Sequence, residues 1–304
     1  MKYKTFLLTG CLLIVLGLAF ILREQLVVLY TEHFIQVEKD VKLEGYNSYY
    51  RTYGYSFAEN KNEFSPHSKQ DLIDIYYTVI NAGKDEFTFY CPADWSDCLS
   101  EVKYLANDQT TLSHINNFVH PYNGFRHIET EYDSIGKITI HVDKTYSQKE
   151  IKEINAEVAR IKSNLENKSL STIDQIKVYH DYIINHSEYD STRSDENIVK
   201  YKSNIAYGPL FEGKGLCGGY TDAMALFLEE MGLPNFKVAS ENHVWNAVML
   251  DNKWYHLDLT WDDPVTPDGT DLLEYNFFLI DTLKLKEIEK EQHIFSENVY
   301  QELK

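Results

Sequence analysis

The stretch Gly213-Lys214-Gly215-Leu216-Cys217-Gly218-Gly219-Tyr220 leads into a run of apolar residues at helical spacing. The apolar positions of that run are Tyr220, Ala223, Met224, Phe227, Leu228 and Met231. Gly232, before Leu233-Pro234, ends the predicted helix as a C-cap residue. Cys217 is therefore expected at the N-terminus of a helix, where unpaired N–H groups and the helix dipole favour a thiolate. The neighbouring glycines permit a tight entry turn and close approach of a substrate.

Two alternating segments follow, and they predict a β-hairpin. They span residues 243–250 and 253–260. Asp251-Asn252 between them are residue types that tolerate the positive φ of a two-residue turn. One face of the hairpin is apolar and suits a core; its members are Val244, Val248, Leu257 and Leu259.

The other face of the hairpin carries an imidazole beside a carboxylate. In the register that the turn sets, His243 and Asp258 are diagonal neighbours within side-chain reach. Asp258 would fix the tautomer of His243 and stabilise its cation, which in turn would stabilise a Cys217 thiolate. His256 shares this face and is a rival base, but it lies further from the open end of the hairpin. We therefore predict that Cys217, His243 and Asp258 are the catalytic residues.

A zinc site is an alternative use of the same side chains. Cys217 with His243, His256 or Asp258 offers ligand types that zinc accepts, but no close Cys or His pair has the spacing of a metal motif. The sequence therefore predicts neither a metal nor a cofactor. Asp262-Asp263, which precede Pro264, are expected to begin a turn.

At these residues the chain resembles the bacterial transglutaminase-like family of the papain-like cysteine superfamily. The resemblance runs from about Ile173 to Asp281, and its motifs are Tyr179 to Asp190, Ala206-Tyr207-Gly208, Gly213 to Tyr220, His243-Val244-Trp245-Asn246 and Trp254 to Pro264. It implies an α+β fold with a papain-like core, in which the Cys helix packs on an antiparallel sheet carrying His and Asp. Asn242 departs from the pattern, since many relatives have a small residue there.

The resemblance also implies thiol acyl chemistry. Cys217 would attack an amide or ester carbonyl, His243 would move the proton, and Asp258 would orient His243. Water or an amine would then release the acyl group. Because such families include proteases, amidases, crosslinking acyltransferases and inactive scaffolds, the alternative is a non-catalytic module that binds a peptide or a cell-envelope component on the same fold.

The first residues of the chain predict a membrane anchor. Residues 5–22 are uncharged and mostly apolar, just long enough to cross a bilayer as a helix. Lys2 and Lys4 should stay in the cytoplasm, so the soluble part is expected to be extracytoplasmic. No small-residue cleavage pattern follows, which favours an uncleaved single-pass anchor over a signal peptide. The box that ends at Cys11 resembles a lipoprotein site, but the long apolar run comes after it.

Charge and cysteine content constrain the partners. A net charge of -18 would repel a phosphate backbone, so nucleic acid is excluded as a main partner. The expected partner is a peptide or protein substrate, with the cell envelope as one source. Cys91 and Cys98 could form a disulfide in an oxidising compartment or could be two buried thiols; either way Cys217 is the odd thiol.

Four segments are predicted along the chain. Residues 1–23 form the transmembrane anchor and 24–64 a juxtamembrane linker. A small α/β domain of unknown role covers residues 65–145, and the transglutaminase-like domain covers 146–304. The last unit begins with the capping-box pair Ser147 and Glu150.

Overall fold

The computed structural model describes residues 41–165, 168–266 and 272–304. The predicted anchor at residues 1–23 lies outside these ranges. None of the helices within them is long and apolar enough to span a bilayer.

The described chain mixes helices with short strands. The helices are α1 (Lys69–Asn81), α2 (Cys98–Asn107), α3 (Gln109–Phe118), α4 (Gln148–Ser163), α5 (Thr172–Asn185), α6 (Ser191–Glu196), α7 (Cys217–Glu230) and α8 (Thr282–Ile288). The strands are β1 (Glu86–Tyr90), β2 (Phe125–Tyr132), β3 (Lys137–Lys144), β4 (Glu188–Tyr189), β5 (Lys214–Gly215), β6 (Asn235–Ala239), β7 (Val244–Leu250) and β8 (Lys253–Leu257). Short 3-10 turns occupy Pro121–Asn123 and Gln301–Leu303, and one π-type turn occupies Gly208–Glu212.

Three sheets are described. The first is antiparallel in the order β1-β3-β2, and the third is antiparallel in the order β6-β7-β8. Between them in sequence, β4 and β5 form a two-stranded parallel pair. The architecture is therefore mixed α and β with antiparallel sheets.

The predicted helix start at Ser147 is confirmed. The Ser147 side chain accepts a hydrogen bond from the Glu150 N–H, and the Glu150 carboxylate accepts one from the Ser147 N–H, which completes the capping box. A helix start of this kind satisfies two N–H groups that would otherwise lack a partner.

The β6-β7-β8 sheet lies between two cores. One face contributes Trp245 and Ala247 to a core shared with α1, α3 and the first sheet. The other face contributes Val248 and Leu257 to a core shared with α4, α5 and α7. Because both faces are buried, a one-residue slip of the register would exchange the residues of the two cores. The ends of β7 and β8 are thus fixed in space.

Residues from both sides of the predicted 145/146 boundary enter the first core. Tyr55 and Phe64, from the segment predicted as a linker, are buried there with Phe236 of β6. Residues 41–64 contain no helix or strand, yet Arg51 is buried and forms a 2.6 Å ion pair with Glu229 near the end of α7. This early segment is packed against the later part of the chain.

Candidate active site

Cys217 is the first residue of α7. Its N-cap residue, Leu216, makes no side-chain capping bond, so the first N–H groups of the helix are not satisfied by a cap. Cys217 is half-buried and is the free cysteine of the described residues, since Cys91 and Cys98 form a disulfide with Cα atoms 5.7 Å apart.

Gly219 allows a neighbouring segment to pack against the entry to α7. A Cβ atom there would lie 2.2 Å from the main-chain oxygen of Ser203, which is closer than real contacts permit. The same oxygen accepts a 2.7 Å hydrogen bond from the Leu216 N–H. Gly219 is therefore required by a close backbone approach that holds the start of the helix.

The hairpin has the predicted register. Leu250 pairs with Lys253, and the turn residues Asp251 and Asn252 have φ values of 49° and 61°. Such left-handed conformations at both positions are those of the two-residue turn that suits twisted strands. Continuing this pairing brings the residues before β7 and after β8 together at the open end of the hairpin.

The second strand is shorter than predicted, because β8 ends at Leu257 rather than at residue 260. The Asp258 side chain explains the ending. Its Oδ1 accepts hydrogen bonds from the N–H groups of Thr260 (3.0 Å) and Trp261 (3.3 Å), which turns the chain away from β7. The same bonds fix the Asp258 carboxylate beside the hairpin.

His243 and Asp258 meet at this end. His243 Nε2 lies 2.5 Å from Asp258 Oδ2, and both side chains are buried. Because Nε2 is engaged by the carboxylate, Nδ1 is the nitrogen left for Cys217, whose thiol lies near enough to His243 to contribute to the electrostatics of the imidazole. The fold thus brings together all three residues that the sequence singled out, in the order thiol, imidazole, carboxylate.

The electrostatics favour a protonated His243. Burial opposes its charge, but the Asp258 carboxylate, with smaller contributions from Cys217, raises the His243 pKa from 6.5 to about 10. For Asp258, burial alone would raise the pKa, yet His243 and His293 together lower it well below its usual value. The pair is therefore an imidazolium and a carboxylate at neutral pH.

The rival base His256 has a different environment. Its Nδ1 accepts a 2.9 Å hydrogen bond from Trp245 Nε1, and its Nε2 lies 3.0 Å from the Thr282 hydroxyl. Burial, assisted by the charge of His293, lowers its pKa to about 3, so it is neutral. Trp245 also stacks on His243, with ring centroids 5.6 Å apart, and shields that imidazole from solvent.

The sequence did not single out His293 or Glu289, although both join the network. His293 Nε2 lies 2.8 Å from Asp258 Oδ2, and His293 Nδ1 lies 3.0 Å from Glu289 Oε2. His293 lies in an irregular segment after α8, and there no period or motif marks its side chain as buried. Only the folded chain brings it 35 residues back to Asp258.

Tyr189 is a neighbour of the thiol that the sequence analysis did not single out. The pairing of β4 with β5 sets Tyr189 opposite Gly215, two residues before Cys217. Burial raises the pKa of Tyr189, and the nearby Cys217 contributes in the same direction. Strands of two residues have no detectable alternation, so the sequence could not have placed this ring.

The same residues can be assessed as ligands of a metal ion. Among the described residues, the donor atoms of His243, Asp258 and His293 form the one cluster of potential ligands, all within 4.8 Å of one another. Both Nε2 atoms, however, point at a single carboxylate oxygen from 2.5 and 2.8 Å. Zinc bonds of about 2.0–2.1 Å would hold such atoms roughly 3.3 Å apart around the ion. The cluster is a hydrogen-bond network, and we assign no metal to it.

Two solved structures that resemble the chain are distant from it in sequence. No curated protein matches the chain. Among solved structures, a TGase aligns with 18% identity and a TM-score of 0.33, covering 45% of this chain and 44% of that protein. A candidate cysteine protease from Cytophaga hutchinsonii aligns with 12% identity and a TM-score of 0.28, covering 48% and 65%. This chain therefore spans less than two thirds of either protein.

A family comparison is more specific. Residues 159–259 match the transglutaminase-like superfamily. This range contains α5 and α7 and the whole β6-β7-β8 sheet, and it includes Cys217, His243 and Asp258. This match confirms the resemblance indicated by the sequence: residues 159–259 of the chain are similar to the transglutaminase-like superfamily.

Proposed function

We propose that this protein is a thiol enzyme that uses Cys217, His243 and Asp258 to transfer or hydrolyse the acyl group of peptide or protein amides. The observation that carries the proposal is the placement of Cys217, the first residue of α7, beside the hydrogen-bonded pair of His243 and Asp258. The match of residues 159–259 to the transglutaminase-like superfamily supports it, because members of that superfamily are generally acyltransferases or proteases.

Acylation begins with attack of the Cys217 thiolate on the substrate carbonyl carbon. An S–C bond forms as the C=O π electrons move to oxygen, and the resulting oxyanion is proposed to accept a hydrogen bond from the Cys217 N–H. When the C–N bond breaks, the leaving amine takes the proton from His243 Nδ1. The products of this half-reaction are a thioester on Cys217, a free amine and a neutral His243.

Deacylation reverses the role of His243. Neutral Nδ1 removes a proton from water or from an acceptor amine, and the oxygen or nitrogen attacks the thioester carbonyl. The thiolate then leaves, and His243 is again protonated beside it. Asp258 keeps its charge throughout and orients the imidazole through Nε2.

We further propose that the enzyme is anchored in the membrane by residues 5–22 with its soluble part extracytoplasmic. The support is the uncharged apolar run preceded by Lys2 and Lys4. A cell-envelope peptide or protein is then the substrate within reach.

Selective alkylation tests the role of the thiol. The full chain in detergent is treated with iodoacetamide, and the modified peptide that contains Cys217 is quantified by mass spectrometry, which separates it from the peptide with Cys11. We expect fast modification near neutral pH and a rate lower by about tenfold or more in His243→Ala. Slow labelling that is the same in both proteins would contradict the catalytic role.

A second experiment separates the possible reactions. The full chain is incubated with a peptide library and an added primary amine, and the products are identified by mass. Cleavage, deamidation and amine incorporation give different masses, and Cys217→Ala should abolish whichever one occurs. Peptide capture that persists in Cys217→Ala, without turnover by the parent protein, would favour a binding module instead.

A further inference from the structure

The surroundings of His293 are unusual for a buried histidine. Its side chain is 1% exposed, and each ring nitrogen faces a carboxylate, Asp258 on one side and Glu289 on the other. The ring is stacked on Phe277 with centroids 5.1 Å apart, and the edges of Trp245 and Trp261 close the remaining sides. The imidazole is therefore held in one orientation between two acceptors.

Both acceptors are ionised. Glu289 accepts hydrogen bonds from the N–H groups of Glu291 (2.9 Å), Gln292 (2.9 Å) and His293 (2.7 Å). Although burial acts against ionisation, these bonds lower the Glu289 pKa to about 2. The pKa of Asp258 is lower than its usual value as well. An ionised carboxylate only accepts hydrogen bonds, so a ring nitrogen that bonds to Asp258 or Glu289 does so as a donor.

His293 affects the proposed base through the carboxylate that they share. Asp258 Oδ2 accepts from both imidazoles, and the His243 and His293 rings are 5.2 Å apart. The shared hydrogen bond engages part of the negative charge of Asp258 and so weakens its pull on the His243 proton. The charged or titratable groups that face His293 are Asp258, Glu289, His243 and His256.

A catalytic imidazole must release its proton as readily as it holds it. In the reaction proposed above, His243 is the acid in one half and the base in the other, so a proton held too tightly would slow acylation. We propose that His293, clamped by Glu289, is a positioning residue that fixes Asp258 and takes up part of its negative charge, so that His243 can pass its proton on. This inference rests on the proposed function, since it assigns His293 a role through that triad.

The test follows individual imidazoles by NMR. The full chain in detergent is labelled with ¹⁵N-histidine, and the titration of His243 is compared in the parent, His293→Phe and Glu289→Gln. Phenylalanine keeps the ring packing but donates nothing to Asp258. Glutamine keeps an acceptor for His293 and removes one charge. The matched control is His180→Phe, because His180 is also buried between two carboxylates, Asp181 at 3.0 Å and Asp262 at 3.2 Å.

In His293→Phe we expect the pH at which His243 loses its proton to rise by about one pH unit, a tenfold change in that equilibrium. Glu289→Gln should move it in the same direction by less, and His180→Phe should leave it unchanged. In the parent at neutral pH, the His293 Nε2 that faces Asp258 should give the signal of a protonated nitrogen. Iodoacetamide labelling of Cys217 is measured on the same samples.

The outcomes separate the two proposals. The charge-sharing role is overturned by a lowered or unchanged His243 titration in folded His293→Phe, or by an unprotonated His293 Nε2 in the parent. In either case, fast labelling that depends on His243 leaves the proposed function intact. Slow labelling that does not depend on His243 defeats the proposed function instead. If His293→Phe does not fold, the sign of the shift in Glu289→Gln decides, because that variant preserves the shape of the network.

Discussion

Replacing Asp258 with asparagine should disable His243 in a way that depends on pH. The Thr260 and Trp261 N–H groups need an acceptor, so the Asn carbonyl oxygen will face them and the amide NH₂ will face His243 Nε2. Nε2 must then become the acceptor, which moves the remaining proton of neutral His243 to Nδ1, the nitrogen next to Cys217. That tautomer cannot take a proton from the thiol.

The size of the effect follows from the His243 pKa. With a pKa of about 10 the parent imidazole is almost fully protonated at pH 8, whereas at the ordinary value of 6.5 only about 3% would be. In Asp258→Asn the protonated fraction of His243 is thus lower than in the parent by roughly 30-fold at about pH 8, but it is hardly changed at about pH 5.5.

The assay is the rate of iodoacetamide labelling at Cys217 as a function of pH. The ratio of the parent rate to the Asp258→Asn rate should rise from about one at about pH 5.5 to about 30 at about pH 8. Asp262→Asn is the matched control, since Asp262 is equally buried four residues further on and binds His180 and the Phe277 N–H. Equal rates for the parent and Asp258→Asn across this range would refute the reasoning.

Three further predictions follow from the fold and the site. First, Gly219→Ala should slow Cys217 labelling at least tenfold and lower the melting temperature, because its Cβ would clash with the adjacent main-chain oxygen; Gly54→Ala, where a Cβ meets nothing within 4 Å, should do neither. Second, replacing both Cys91 and Cys98 with alanine should reduce the free energy of unfolding, measured in urea, by about 2 kcal/mol, because the disulfide closes a short loop in the unfolded chain. An unchanged midpoint of urea unfolding would argue against a stabilising disulfide. Third, the raised pKa of His243 means that its pairing with the carboxylate stabilises the fold fully below about pH 6.5 and that this stabilisation is lost as the pH rises through about 10. The difference in unfolding free energy between the parent and His243→Gln should therefore be a few kcal/mol at about pH 6 and should shrink by about pH 10.5; a difference that grows with pH would contradict the assignment.

The hairpin and the Cys helix could be predicted because local rules govern them. Alternation of apolar residues fixed the strands, and two residues that tolerate positive φ fixed the turn and hence the register. Helical spacing after Cys217 together with Gly232 set both ends of α7 to within two residues. Once the register is known, the approach of imidazole and carboxylate follows from geometry, whereas the packing of the Cys helix against the sheet was implied by the family resemblance.

The parts that depend on distant contacts could not be predicted. His293 reaches Asp258 through an irregular segment whose course is set by packing against Trp245 and Phe277, and no periodicity encodes that course. The same holds for the packing of Arg51 against Glu229, which buries part of a segment that reads as a linker. The early end of β8 was missed because the carboxylate that the site needs also forms the turn.

Trapping the acyl-enzyme tests the central claim most directly. The full chain is mixed at low pH with activated ester and amide peptides, and the reaction is quenched and digested. The mass of the peptide that contains Cys217 is then measured before and after treatment with hydroxylamine. We expect the parent to carry a substrate-sized adduct on Cys217 that hydroxylamine removes. Cys217→Ser should form no such thioester. Substrate turnover by the parent without any adduct on Cys217, or turnover retained in Cys217→Ala, would contradict the central claim.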